Sequence, residues 1–144
     1  MDQKVLLTIL GEQTDSDGDI SEIKLMTTGL LSRYDGGIRV SYKESELSGT
    51  DGAEMTIEME GDAVRVFREG DYSSNFLFRE GKRCLNVFHT PFGVIELGAY
   101  PSQVEYGVCD DGGEIRLCYD IDMQGRHLGK NRLMMEWKTE TGIS

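Results

Sequence analysis

No stretch of this chain approaches the roughly 20 consecutive apolar residues of a membrane-spanning helix, and none carries the apolar period of a long amphipathic helix. Basic side chains are also short in supply. Lys and Arg number 15 against 26 Asp and Glu, giving a formal net charge of −11 and a pI near 4.6. Nucleic-acid binding rests on cations that neutralise phosphates, so this balance argues against a nucleic-acid partner. It equally disfavours anionic membrane surfaces. The apolar run from Val5 to Leu10 is too short for the core of a secretion signal, follows Asp2, and lacks a small-residue cleavage site. A cytoplasmic location is expected.

Cysteine and histidine are scarce as well. Cys84, Cys109 and Cys118 are odd in number and show no CxxC spacing, and His89 lies far from His127. A zinc site is therefore not expected. Cys109 and Cys118 flank the turn from Asp110 to Gly113 and would face each other only if that loop centred near Gly113, while a reducing cytosol disfavours a disulfide. The segment Asp15-Ser16-Asp17-Gly18-Asp19 superficially resembles a calcium loop, but both registers fail. With Asp15 at position one, Ile20 takes the place of the glycine and Met26 that of the closing glutamate; with Gly18 at position six, Gln13 opens the loop and Lys24 closes it. A polar hairpin turn is the better reading. No nucleophile elbow, phosphate-binding glycine loop or dinucleotide fingerprint is present. Carboxylates are too abundant for any pair to mark acid-base chemistry. Neither a catalytic constellation nor a cofactor is expected.

What the chain does have is alternation. Ile115, Leu117, Tyr119, Ile121 and Met123 fall on one face of an extended segment, with Glu114, Arg116, Cys118, Asp120 and Asp122 on the other. Met55, Ile57 and Met59 alternate with Glu54, Thr56, Glu58 and Glu60, and Leu133, Met135 and Trp137 with Arg132, Glu136 and Lys138. Met134 is an apolar break on the outward side. Weaker versions run through Val5-Leu7-Ile9, Ile23-Leu25, Ile38-Val40-Tyr42, Val64-Val66, Phe76-Phe78, Leu85-Val87, Ile95-Leu97 and Val104-Tyr106-Val108. Gly-bearing turns separate them at Asp35-Gly36-Gly37, Gly61-Asp62, Glu69-Gly70-Asp71, Glu80-Gly81-Lys82, Asp111-Gly112-Gly113 and Gln124-Gly125. Residues 1–144 read as one all-β domain of about 8 to 10 antiparallel strands. A meander of this kind exposes two raw edges unless it closes, which favours a closed or nearly closed up-and-down barrel over a two-sheet sandwich.

Polar residues whose parity places them inside are the candidate site. Tyr42 and Glu44 continue the face of Val40, Arg68 that of Val64 and Val66, His89 that of Leu85 and Val87, and Asn131 that of Leu133; Tyr106 and Tyr119 sit in mid-strand. One reading puts Glu44, Arg68 and His89 at the rim in solvent, with the tyrosine hydroxyls satisfied by backbone or water. The other makes Tyr42, Glu44, Arg68, His89, Tyr106 and Tyr119 the lining of a cavity that orients a small amphiphilic ligand. The long connection from Glu44 to Gly52, carrying Leu47, crosses one barrel end or covers it as a lid.

Two segments carry a family likeness: Ile38-Arg39-Val40-Ser41-Tyr42-Lys43-Glu44-Ser45-Glu46-Leu47-Ser48-Gly49, and Phe76-Leu77-Phe78-Arg79-Glu80-Gly81-Lys82-Arg83 followed by His89-Thr90-Pro91-Phe92-Gly93. In order and spacing, from Val5 to about Trp137, the chain resembles the YwiB-like proteins, a bacterial family of calycin-like β-barrels of unknown function. Thr90-Pro91-Phe92-Gly93 stands where that family has a TPYG element, and His89 where an acidic residue is frequent. The resemblance implies an up-and-down barrel of the lipocalin and fatty-acid-binding class and a cytoplasmic setting, without an established activity. The leading expectation is a binding protein for a small apolar or amphiphilic molecule. The alternative is a non-catalytic accessory protein that docks a macromolecule through outward acids such as Glu58, Glu60, Asp120 and Asp122. An enzyme built on Glu44, Arg68 and His89 comes third, and requires those side chains to converge.

Overall fold

A computed structural model describes residues 2–43, 54–70 and 73–139. They form ten strands: β1 Asp2–Asp15, β2 Ile20–Tyr34, β3 Gly37–Lys43, β4 Glu54–Glu60, β5 Ala63–Glu69, β6 Ser73–Arg79, β7 Cys84–Thr90, β8 Gly93–Cys109, β9 Gly112–Met123 and β10 Arg126–Thr139. Each strand pairs with its sequence neighbours and β1 pairs with β10, so the antiparallel meander closes into a barrel. Closure follows from the alternation, because only a sheet curled on itself buries one face and leaves no edge.

The interior is packed unevenly. Val5, Leu7, Ile9, Leu31, Val40, Ile57, Met59, Val64, Phe78, Ile115, Leu117, Met135 and Trp137 are buried and form one core. They gather toward the end that carries the β2–β3, β4–β5, β6–β7 and β8–β9 turns. Tyr106 reaches across this end: its hydroxyl donates to the carbonyl of Gly61, 2.7 Å away in the β4–β5 turn. Partly buried inward residues occur at both ends, Ile38, Val104 and Tyr106 at this one and Leu25, Tyr42, Val66, Phe76 and Leu133 toward the other, where fully buried side chains are fewer. The barrel thus has a tightly packed end and a loosely packed one.

Three ladders are incomplete. β2 pairs with β3 only over Leu30–Tyr34, leaving Ile20–Gly29 paired to β1 alone. β8 meets β9 from Gly98 onward, and β6 meets β7 only at Ser73–His89 and Ser74–Phe88. The β2–β3 and β8–β9 gaps lie at the loose end and split it along two seams, whereas β6 and β7 separate toward their own turn at the packed end.

The structure corrects the sequence reading at β7. Leu85 and Val87 are 60% and 41% exposed, whereas Asn86 is buried and Cys84 and Phe88 are half-buried. Pairing explains the inversion: Cys84, Asn86 and Phe88 lie opposite Ala99, Leu97 and Ile95, so these six share the inner face. His89, expected inside, is accordingly exposed on the outer face. The thiols lie apart. The β8–β9 turn centres on Asp110 and Asp111, so Cys109 faces Gly112 and Cys118 faces Gln103. All three cysteines are free. Asp15 behaves as a turn residue: its Oδ1 accepts from the backbone N–H groups of Asp17 and Asp19, both at 2.9 Å.

On the outer face Arg83 forks onto Asp122, with Nε to Oδ2 at 3.1 Å and Nη2 to Oδ1 at 2.6 Å. The pair spans β8 and ties the start of β7 to β9. The Arg83 hydrogen bond holds the Asp122 carboxyl below its ordinary value, against a smaller opposing effect of desolvation. A lowered carboxylate contributes stability above its unfolded pKa and loses it as pH falls through the folded value. Asp122→Asn is therefore expected to flatten the acid limb of a stability-against-pH curve, below about pH 4, and to leave a neutral-pH curve parallel to that of the parent. Denaturant titrations from pH 2 to 7 provide the check; identical acid limbs would show that the fork carries no pH-dependent stability.

Candidate functional site

The loosely packed end is the candidate binding site. Cross-strand register sets Gly29 beside the seam and aligns Tyr42, Met55, Arg68, Ser74, Phe88 and Ile95 on six consecutive strands, all toward the interior. The next inward row, Val40, Ile57, Val66 and Phe76, is apolar. Alternation alone places Arg68 there, because Val64 is fully buried and Arg68 follows at the same parity on β5. Tyr42 follows Val40 on β3 in the same way.

Deeper in, Phe76 stacks on Phe78 with ring centroids 5.8 Å apart, and Phe78 meets Tyr119 at 4.6 Å. Strands β6 and β9 are separated in the sheet by β7 and β8, so the Phe78–Tyr119 contact bridges the interior and forms a floor. Burial pushes the Tyr119 phenol above its ordinary pKa, with a hydrogen bond to Asn131 pulling the other way. Tyr119 stays neutral at physiological pH and serves as a polar fixture at the edge of the apolar floor.

The seam between β2 and β3 makes a side entrance. A slot of about 470 Å³ is lined by inward Thr27, Gly29 and Tyr42 and by outward Leu30, Ser41, Lys43, Glu54 and Lys4. The slot follows the seam where the β2–β3 ladder ends. At its inner edge Gly29 permits the close approach of β2 to β3: a Cβ there would meet the Ser41 carbonyl oxygen at 2.5 Å and Leu7 Cδ1 at 2.8 Å.

Of the residues singled out from sequence, Tyr42 and Arg68 share the row at the mouth, and Tyr119 sits at the floor. Tyr106 is inward but belongs to the opposite, closed end. His89 projects from the outer surface, on the far side of the wall from Arg68. Glu44 and the connection to Gly52, with Leu47, lie outside the described residues. The trio Glu44, Arg68 and His89 is thus not brought together, since His89 and Arg68 occupy opposite faces. Sequence parity missed Phe88 and Asn86, which β7 turns inward, and Lys4 at the slot. Gly29 offered a signal: a glycine inside the strand Thr27-Thr28-Gly29-Leu30 marks close backbone approach.

Among the described residues, no group of three or more His, Cys, Asp or Glu side chains is placed to hold a metal ion. No helix there is long and apolar enough to cross a membrane.

Comparison with known proteins bears on fold and family. The crystal structure of ywiB protein from Bacillus subtilis superposes with a TM-score of 0.82 at 18% identity, covering 96% of this chain and 92% of that one. At that identity the likeness establishes the barrel alone, and it agrees with the YwiB-like resemblance read from the sequence. No curated protein matches the chain. A family model described as a domain of unknown function, DUF1934, matches residues 7–135, from the first core strand to the last, and the chain belongs to that family.

Proposed function

We propose that this barrel binds a small apolar or amphiphilic molecule at its loosely packed end, in a cytoplasmic setting. The observation that carries the reading is the division of the interior. One half is filled by its own side chains up to the Phe78–Tyr119 floor, whereas the other presents partly exposed Val66 and Phe76 beneath a row containing Tyr42 and Arg68. Apolar walls with a few convergent polar groups are the usual make-up of a small-molecule site. Free cysteines at Cys84, Cys109 and Cys118 suit a reducing compartment.

Docking of a macromolecule on the acidic outer face is less well supported. Glu58 is held by Arg39 at 2.6 Å, Asp122 by Arg83 at 2.6 Å, and Asp120 by His127 at 3.2 Å. Three of the carboxylates offered as a docking surface already have cationic or hydrogen-bonding neighbours. The non-catalytic character of the protein remains part of the proposal.

Native mass spectrometry of protein purified from its own cells tests the binding reading, together with titration of an environment-sensitive apolar dye. A retained mass released on denaturation, and saturable dye binding displaced by an extract of that ligand, are expected. Protein of bare polypeptide mass with no saturable dye site would overturn the reading.

A further inference from the structure

We infer that the molecule taken at this site is a short amphiphilic anion, with its charged head at Arg68 and its tail toward Val66 and Phe76; the inference rests on the binding reading above. Three observations converge on a negative head group. First, Arg68 is the cationic member of the inward row Tyr42, Met55, Arg68, Ser74, Phe88 and Ile95. A guanidinium has five N–H donors in a planar fork, so it can receive a carboxylate while keeping a contact within the protein. Second, Tyr42 lies two strands from Arg68, about 10 Å by strand spacing, near enough for both side chains to reach one head group. Third, Lys4 and Lys43 border the slot that opens beside Tyr42, with Glu54 as the one acidic residue among its described lining. In a chain of net charge −11 this is a local reversal of sign.

The floor limits the tail. Val40 and Ile57 are buried already one row below Tyr42 and Met55, and Phe78 and Tyr119 seal the interior beneath Phe76. From the Arg68 row to the Val64 row is four residues along β5, about 13 Å at the strand rise. A tail of roughly eight carbons or fewer matches that depth, and a long acyl chain does not.

Isothermal titration calorimetry with octanoate, octanol and octylammonium, on the full chain at physiological salt, tests the inference. Octanoate is expected to bind about 10- to 100-fold more tightly than octanol, the range for a hydrogen bond to a charged group. Arg68→Gln is expected to erase that preference, and Arg68→Lys to retain part of it; circular dichroism checks that both variants fold. Equal affinity for octanoate and octanol, tighter octylammonium, or an Arg68→Gln variant that keeps the preference would overturn the anion assignment while the binding reading stands. If none of the three binds and the cell-derived protein carries no ligand, both fail together.

Discussion

Replacing Trp137 by alanine is expected to destabilise the barrel by about 3 to 5 kcal/mol, the usual cost of emptying a large aromatic site in a core. Trp137 is 1% exposed and lies between Leu7 of β1 and Gly113 of β9, its partners on either side in the sheet. The indole lies over Gly113, where its benzo ring occupies the space a Cβ would need. Removing it leaves a void bordered by a residue with no side chain to collapse into it, so relaxation recovers little. It also loosens the β1–β10 ladder that closes the barrel. The indole Nε1 is buried and has no hydrogen-bond partner among the described residues. Trp137→Phe therefore removes volume without breaking a hydrogen bond, and a smaller loss than that of the alanine variant is expected. Urea unfolding followed by circular dichroism gives both values; an alanine variant within 1 kcal/mol of the parent would remove Trp137 from the core.

The positions of Trp137 and its neighbours were legible in the sequence because β9 and β10 alternate over long, uninterrupted stretches. Ile115, Leu117, Met135 and Trp137 are all buried, as their parity requires. Barrel closure was legible for a related reason, since an alternating meander with turn glycines has few other ways to hide its edges. The rows at Tyr42 and Arg68 were found by the same counting, from Val40 and Val64 outward along short strands.

Parity failed at β7 because both of its faces carry apolar residues. Leu85 and Val87 compete with Cys84 and Phe88, and nothing local decides between them. The decision comes from β8, where a bulge between Pro101 and Gln103 allows Ile95, Leu97 and Ala99 to face inward on one side of it and Val104 and Tyr106 on the other. Proline has no N–H to give to the ladder, which suits it to that break. Since β7 pairs with the stretch before the bulge, its register turns Phe88 in and His89 out. A single irregularity thus moved His89 out of the site and brought Phe88 into it. The split between packed and loose ends was not legible at all, because it depends on which strands outrun their neighbours.

That split makes Gly29 the most sensitive position of the site. In the ladder Gly29 lies opposite Val5, so a side chain there would point inward, toward the last point where β2 and β3 remain in contact. An added methyl would meet the Ser41 carbonyl oxygen at 2.5 Å and Leu7 Cδ1 at 2.8 Å. Neither neighbour can easily yield, because one is backbone and the other is a fully buried core residue. Gly29→Ala is therefore expected to cost about 1 to 3 kcal/mol, as overpacking does, and to lower the melting temperature by roughly 4 to 10 °C. Gly11→Ala is the matched control: it lies on the adjacent strand with no atom within 4 Å of an added Cβ. A near-neutral change is expected there. Relief of the Gly29 clash requires β3 to retreat from β2, which widens the slot beside Tyr42. Faster release of a bound short-chain anion should then accompany the lost stability in Gly29→Ala and be absent in Gly11→Ala. Stopped-flow displacement alongside thermal melts separates the two effects; equal stability of the two variants would mean that β2 and β3 do not approach closely at Gly29, and unchanged release from a destabilised Gly29→Ala would mean that the ligand does not pass through the seam.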